Sequence, residues 1–148
     1  MRYFALVISL CFIHLSAYAD DANATYMWQM AKKLNQHFGN LNNMHGSLPP
    51  SDASITDELG FVAIGRSSEV STIKDLLYLR SRMVDKSDWA EVNGILTNWR
   101  TLFVDFCPES IKHINAQIGL AKSPAVVSEG EHLRDDLVEV CDRLKRLK

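Results

Sequence analysis

Apolar residues recur every three or four positions along most of this chain, the period of one face of a helix. Over residues 24–38 the repeat is Met27, Met30, Ala31, Leu34 and Phe38, with Leu41 just beyond. The stretch GNLNNMHGSLPPSDAS at 39–54 is dominated by Gly, Asn, Pro and Ser and predicts a long loop. Loops of that length are uncommon in compact domains and are often functional. Ile55 to Ile64 is short and apolar, with Leu59 and Val62 at inward spacing. It suits a short helix or an irregular segment ending at Gly65. Ser67 or Ser68 then caps a predicted helix over 69–84, whose wide face includes Val70, Ile73, Leu76, Leu77 and Met83.

After a break at 85–87, a helix is expected over 88–106. Val92, Leu96, Trp99, Phe103 and Phe106 repeat along it, with Ile95 and Leu102 beside them. Seven large apolar groups on one face predict the main core element. Gly94 inside it costs roughly 1 kcal/mol relative to alanine, so a close helix crossing is expected there. Pro108 suits the first position of a helix reaching Leu120. A turn at 121–125 leads to a last helix from Ser128, where Ser128 and Glu131 match a capping box. Leu133, Leu137, Val140, Leu144 and Leu147 form its stripe. No strand alternation persists. The expected fold is all-α, a compact bundle of five to six helices ending in a helical hairpin.

The N-terminus breaks this pattern. Met1 and Arg2 precede FALVISLCFIHL, and Ala17-Tyr18-Ala19 is a small-x-small cleavage pattern. The run falls short of the roughly 20 residues needed to span a bilayer. Residues 1–19 are therefore read as a cleaved signal peptide, and 20–148 as a single helical domain. The expected location is the periplasm, or outside the cell if the source is not Gram-negative.

Export changes the cysteine count. Of three cysteines, Cys11 leaves with the signal, and Cys107 and Cys141 remain. An even count in an oxidising compartment suggests a disulfide. The two flank the turn at similar distance, so an antiparallel hairpin brings them level. Charge changes little. The whole chain has 16 Lys and Arg against 18 Asp and Glu, and losing Arg2 takes the net charge from −2 to −3. Such a balance excludes nucleic acid and anionic membrane as main partners.

Candidate chemistry is sparse. Met27, Met30, His37, Met44 and His45 concentrate toward the N-terminus, and thioether with imidazole suits copper. No two histidines of the mature chain stand at i, i+3 or i+4, and no metal or cofactor is assigned. There is no Gly-x-Ser-x-Gly and no free cysteine beside a histidine. Arg80 interrupts an apolar face and Arg100 follows Trp99, so with Arg66 they could face a small anion together with Glu69 or Glu91. The simpler account of Arg80 is a pairing with Asp75 or Asp105.

The leading expectation is an exported, non-enzymatic protein that binds a protein partner, as periplasmic immunity proteins and inhibitors do. Its contacts are expected at Asn42, Asn43, Met44, His45 and Leu48 in the long loop, with Trp89. The alternatives are a small secreted enzyme or anion binder using inward arginines, and a periplasmic copper protein using the Met/His cluster.

Overall fold

The structure, a computed structural model, describes the backbone of residues 2–147 and the side chains of 19–147 except Lys86. The side chains of residues 1–18, Cys11 among them, lie outside the described residues. Four helices follow one another: α1 (Arg2–His45), α2 (Pro50–Arg82), α3 (Lys86–Leu120) and α4 (Pro124–Arg146). The described residues contain no strand. No helix is long and apolar enough to cross a membrane among the described residues. Linkers of three or four residues turn the chain back each time. α1 lies against α2 and α4, and α3 lies against α2 and α4 on the far side from α1.

The all-α fold stands as expected, but four helices replace five or six because two predicted breaks are absent and a third is shortened. α1 continues to His45, since Leu34, His37, Leu41 and Met44 keep the inward spacing through the Gly- and Asn-rich stretch. The long loop shrinks to 46–49. α2 runs through Gly65 because its inward ladder never lapses: Leu59, Ala63, Ser67, Val70, Ile73 and Leu77 are all buried. Ser67 is a rung of that ladder, not a cap. Its hydroxyl donates to the Ala31 carbonyl across the α1 interface at 2.8 Å.

α3 runs through Pro108. An interior proline removes a backbone donor and costs about 3 kcal/mol. Burial of Phe103, Cys107 and Ile114 on both sides of it carries the helix through. Cys107 is bonded to Cys141, with the two Cα atoms 6.2 Å apart, so the α3–α4 hairpin is stapled as the sequence implied.

The start of α4 also differs. It begins at Pro124, so Ser128 and Glu131 are interior and make no capping box. The Asp52 carboxylate of α2 takes that role, accepting from the backbone N–H of Ser123 at 2.7 Å and of Lys122 at 3.2 Å. A carboxylate there also meets the positive end of the α4 dipole. At α3, Asp85 caps locally, and hydrogen bonds from the Ser87 hydroxyl and N–H hold its carboxyl below the ordinary value.

The core is drawn from all four helices: Met27 and Leu34, Leu59 and Ile73, Phe103 and Ile114, Leu133 and Leu137 are fully or nearly fully buried. α3 is not its main supplier. Its seven apolar groups form two stripes, and only Val92, Leu96 and Phe103 turn inward. Ile95, Trp99, Leu102 and Phe106 stay open to solvent.

The glycines follow the same division. Gly94 has no neighbour near a Cβ position, so the close crossing expected there is absent. Gly130 is the tight position: a Cβ would stand 2.7 Å from Ile118 Cγ1 and 3.3 Å from Leu59 Cδ1. Replacing Gly94 by alanine should stabilise the protein by up to about 1 kcal/mol. Replacing Gly130 should destabilise it by roughly 1–3 kcal/mol through overpacking. Urea denaturation of both variants checks the opposite signs.

Candidate functional site

The last turns of α2 and α4 and the first turns of α3 meet α1 near Asp20. Arg80 comes into this junction because it extends the inward face of α2 by one step past Leu77. It is buried, and its guanidinium grips the buried Asp20 carboxylate by two bonds, Nε to Oδ2 at 2.8 Å and Nη2 to Oδ1 at 2.5 Å. Its Nη1 donates to Asn93 Oδ1 of α3 at 2.5 Å. The Trp89 ring lies 5.8 Å from the guanidinium carbon. The carboxylate is therefore Asp20, and neither Asp75 nor Asp105. A buried arginine held at both edges has its charge and donors satisfied in place.

Beside this pair opens a cleft of about 650 Å³, lined by Asp20, Asn23, Arg80, Trp89, Asn93, Arg143, Arg146 and Leu147, with Ala19 at its edge. Arg143 donates to Asn23 Oδ1 at 2.8 Å and stacks 5.2 Å from the Tyr26 ring. Arg100 donates to the Leu147 carbonyl, fixing the end of α4 against α3. Three arginines face one aspartate, so the lining is cationic. It holds no Ser, Thr, Cys or His to serve as nucleophile or base.

The three arginines first grouped together do not converge. Arg66 lies further back along α2, pairing with Glu69 at 2.6 Å, donating to Ser110 at 2.7 Å and covering the Phe103 ring at 5.3 Å. Glu91 is exposed on α3. The cationic group that does assemble joins Arg80 to Arg143 and Arg146. In the sequence those two are explained fully by their place in the last turn of α4, where cations suit the dipole.

The Met/His cluster is dispersed as well. Met27 and Met30 are core residues. His37 lies between α1 and α4, with Nδ1 2.6 Å from Glu129 and Nε2 3.0 Å from Asp136. His45 sits against Asp57 at 3.0 Å, closing the α1–α2 corner. No group of three or more His, Cys, Asp or Glu is arranged to hold a metal ion among the described residues. Nearby, the Tyr26 hydroxyl donates to Glu139 at 2.9 Å, and burial together with that carboxylate pushes its pKa up to about 12.

Of the expected contact residues, Asn42 and Asn43 are exposed on the last turns of α1, while Met44 and Leu48 pack partly against the core. Trp89 stands apart from them at the cleft. From Pro50 to Arg80, α2 spans roughly 45 Å at 1.5 Å per residue, so the corner and the cleft occupy opposite ends of the bundle. No protein-family model, curated protein or solved structure matches this chain.

The sequence signalled Arg80 through its interruption of an apolar face. Nothing signalled Asp20, which stands at the expected signal junction. Removing its carboxylate strands a buried guanidinium, so Asp20→Ala should destabilise the protein by about 3–5 kcal/mol. Thermal and urea denaturation check this, and a loss below 1 kcal/mol would contradict the buried pair.

Proposed function

We propose that the protein is an exported, non-enzymatic binding protein that holds a protein partner by an acidic segment. The observation that carries this is the cationic cleft with Trp89 at its side, whose lining has no Ser, Thr, Cys or His and whose one carboxylate, Asp20, is already bound by Arg80. Trp89 is 42 % exposed, although its ring covers Arg80. Tryptophan and arginine supply most binding energy at protein interfaces. A guanidinium matches a carboxylate with two parallel donors, and Arg143 and Arg146 are exposed at the rim. Arg80, already engaged by Asp20 and Asn93, sets the local potential from below.

Export rests on the signal-like residues 1–19, with the disulfide as chemical support, since such bonds persist in oxidising compartments. Cleavage after Ala19 leaves Asp20 as the first residue. Its new α-ammonium would then add a positive charge at the cleft. In the periplasm, or outside the cell where no outer membrane exists, a protein of this build would act as an immunity protein or inhibitor. It would occupy an acidic region of a toxin or wall-degrading enzyme. Of the residues expected to make contact at the α1–α2 corner, only Asn42 and Asn43 are exposed, and the contact is assigned instead to the cleft, where Trp89 and the arginines gather.

Calorimetric titration of the exported protein with an oligo-glutamate peptide tests this reading. Binding is expected, with Arg143→Glu and Arg146→Glu each weakening it by about tenfold, or about 1.4 kcal/mol. Lys145→Glu, on the same turn but outside the lining, should change it far less. Absence of binding, or equal weakening by all three variants, would overturn the assignment.

A further inference from the structure

The outward stripe of α3 has a regular spacing. Ile95, Trp99, Leu102 and Phe106 are separated by four, three and four residues and are 41 %, 37 %, 54 % and 50 % exposed. That is the d-a-d-a rhythm of a coiled-coil seam, repeated over two heptads. The core stripe of α3 runs beside it, about 80° away around the helix, and the Arg66 guanidinium of α2 lies 6.0 Å from the Phe106 ring at one end. Phe61 of α2 is 73 % exposed and borders a hollow shared with Ser110 and His113, so it extends the apolar surface at the C-terminal end of the seam.

We propose that this stripe is the interface of a two-fold dimer, in which α3 lies antiparallel along α3 of a second copy of this chain. An axis midway between Trp99 and Leu102 sets Trp99 against Leu102 of the second copy. It also sets Ile95 against Phe106. Each layer then pairs one aromatic with one aliphatic side chain, and the two-fold repeats both layers. Parallel pairing in register would instead place Trp99 on Trp99 and Phe106 on Phe106.

The charges flanking the seam select the same arrangement. Glu91, Asn98, Asp105 and Lys112 follow one another at seven-residue intervals along its edge and are all exposed. The antiparallel axis brings Glu91 opposite Lys112 of the second copy, and the symmetry makes this pair twice. Asn98 falls opposite Asp105, a donor facing an acceptor. A parallel arrangement would carry these residues to opposite edges of the seam, out of reach of one another, and would lose both Glu91–Lys112 pairs. An isologous contact of this kind closes on itself at two copies.

The seam supplies part of the area that a stable dimer needs. Exposed fractions of this size on large apolar side chains amount to roughly 400 Å² of apolar surface per copy. That is about half of what a standard interface buries per partner, and the charged edge and Phe61 add to it. Trp99 and Phe106 are the residue types that anchor such contacts. The dimer would carry one cleft near each end of the paired helices, facing opposite ways.

Sedimentation equilibrium of the full mature chain tests this over a range of concentrations. A mass twice that of the chain is expected. Leu102→Glu should weaken association by at least about a hundredfold, with the denaturation midpoint of the monomer little changed because Leu102 is not in the core. Lys112→Glu should weaken it by about tenfold, and Glu91→Lys with Lys112→Glu in one chain should restore it to near the starting value. A monomer at every concentration would overturn the proposal, and so would a dimer that Leu102→Glu leaves intact. A dimer that the charge exchange fails to restore would overturn the antiparallel pairing. A monomer that binds a foreign protein through the stripe would also overturn it.

Discussion

A guanidinium inside an apolar helix face must meet a carboxylate, and the geometry of this bundle follows from how Arg80 does so. Asp20 approaches from α1 and Asn93 from α3, so one side chain of α2 fixes the register of two other helices. At the far end of the same face, the buried Asp52 accepts from the α3–α4 linker and starts α4. α2 is thereby pinned at both ends of its inward ladder by a buried charge of opposite sign. Buried pairs add little net stability compared with apolar side chains of the same shape, but losing one partner is severe. Sliding α1 along α2 by one turn would strand both Arg80 and Asp20, which excludes packings that apolar side chains alone would tolerate.

The surface follows from what that frame leaves uncovered. Where Arg80 is held, α2, α3 and α4 end together, and their terminal polar residues gather around one cleft. Along the side, α3 has apolar groups on more of its circumference than two neighbours can cover. One stripe enters the core and the other faces outward. A cationic hollow and an apolar seam are both features for contact, and neither presents a nucleophile held beside a base.

Much of the architecture could be read from the sequence because it depends on local periodicity. The inward faces of α1, α2 and α4 match the apolar spacing, and the disulfide hairpin follows from Cys107, Cys141 and the turn between them. The breaks were misplaced because Gly65, Pro108 and the Gly-Asn stretch after Phe38 are local signals of a few kcal/mol at most. Continuous burial on both sides of each outweighs them. Ser67 reads as a cap in isolation, although its hydroxyl serves a neighbouring helix. On α3, seven apolar residues read as one face because periodicity cannot say how many neighbours a helix will have. The cleft was least legible, since Asp20, Asn23 and Arg143 are ordinary polar residues until the fold brings them to Arg80. Trp89 was expected among contact residues, but together with the stretch after Phe38, which lies at the other end of the bundle.

The account depends most on the Arg80–Asp20 contact as a coupled pair, and a double-mutant cycle measures that coupling directly. Stability would be determined for the parent, Asp20→Leu, Arg80→Met and the double variant. The structure predicts that each single change is strongly destabilising and that the double variant loses less than the sum of the two, by a coupling of about 2–3 kcal/mol. Losses that simply add would contradict it, because they would show that the two side chains do not share one interaction.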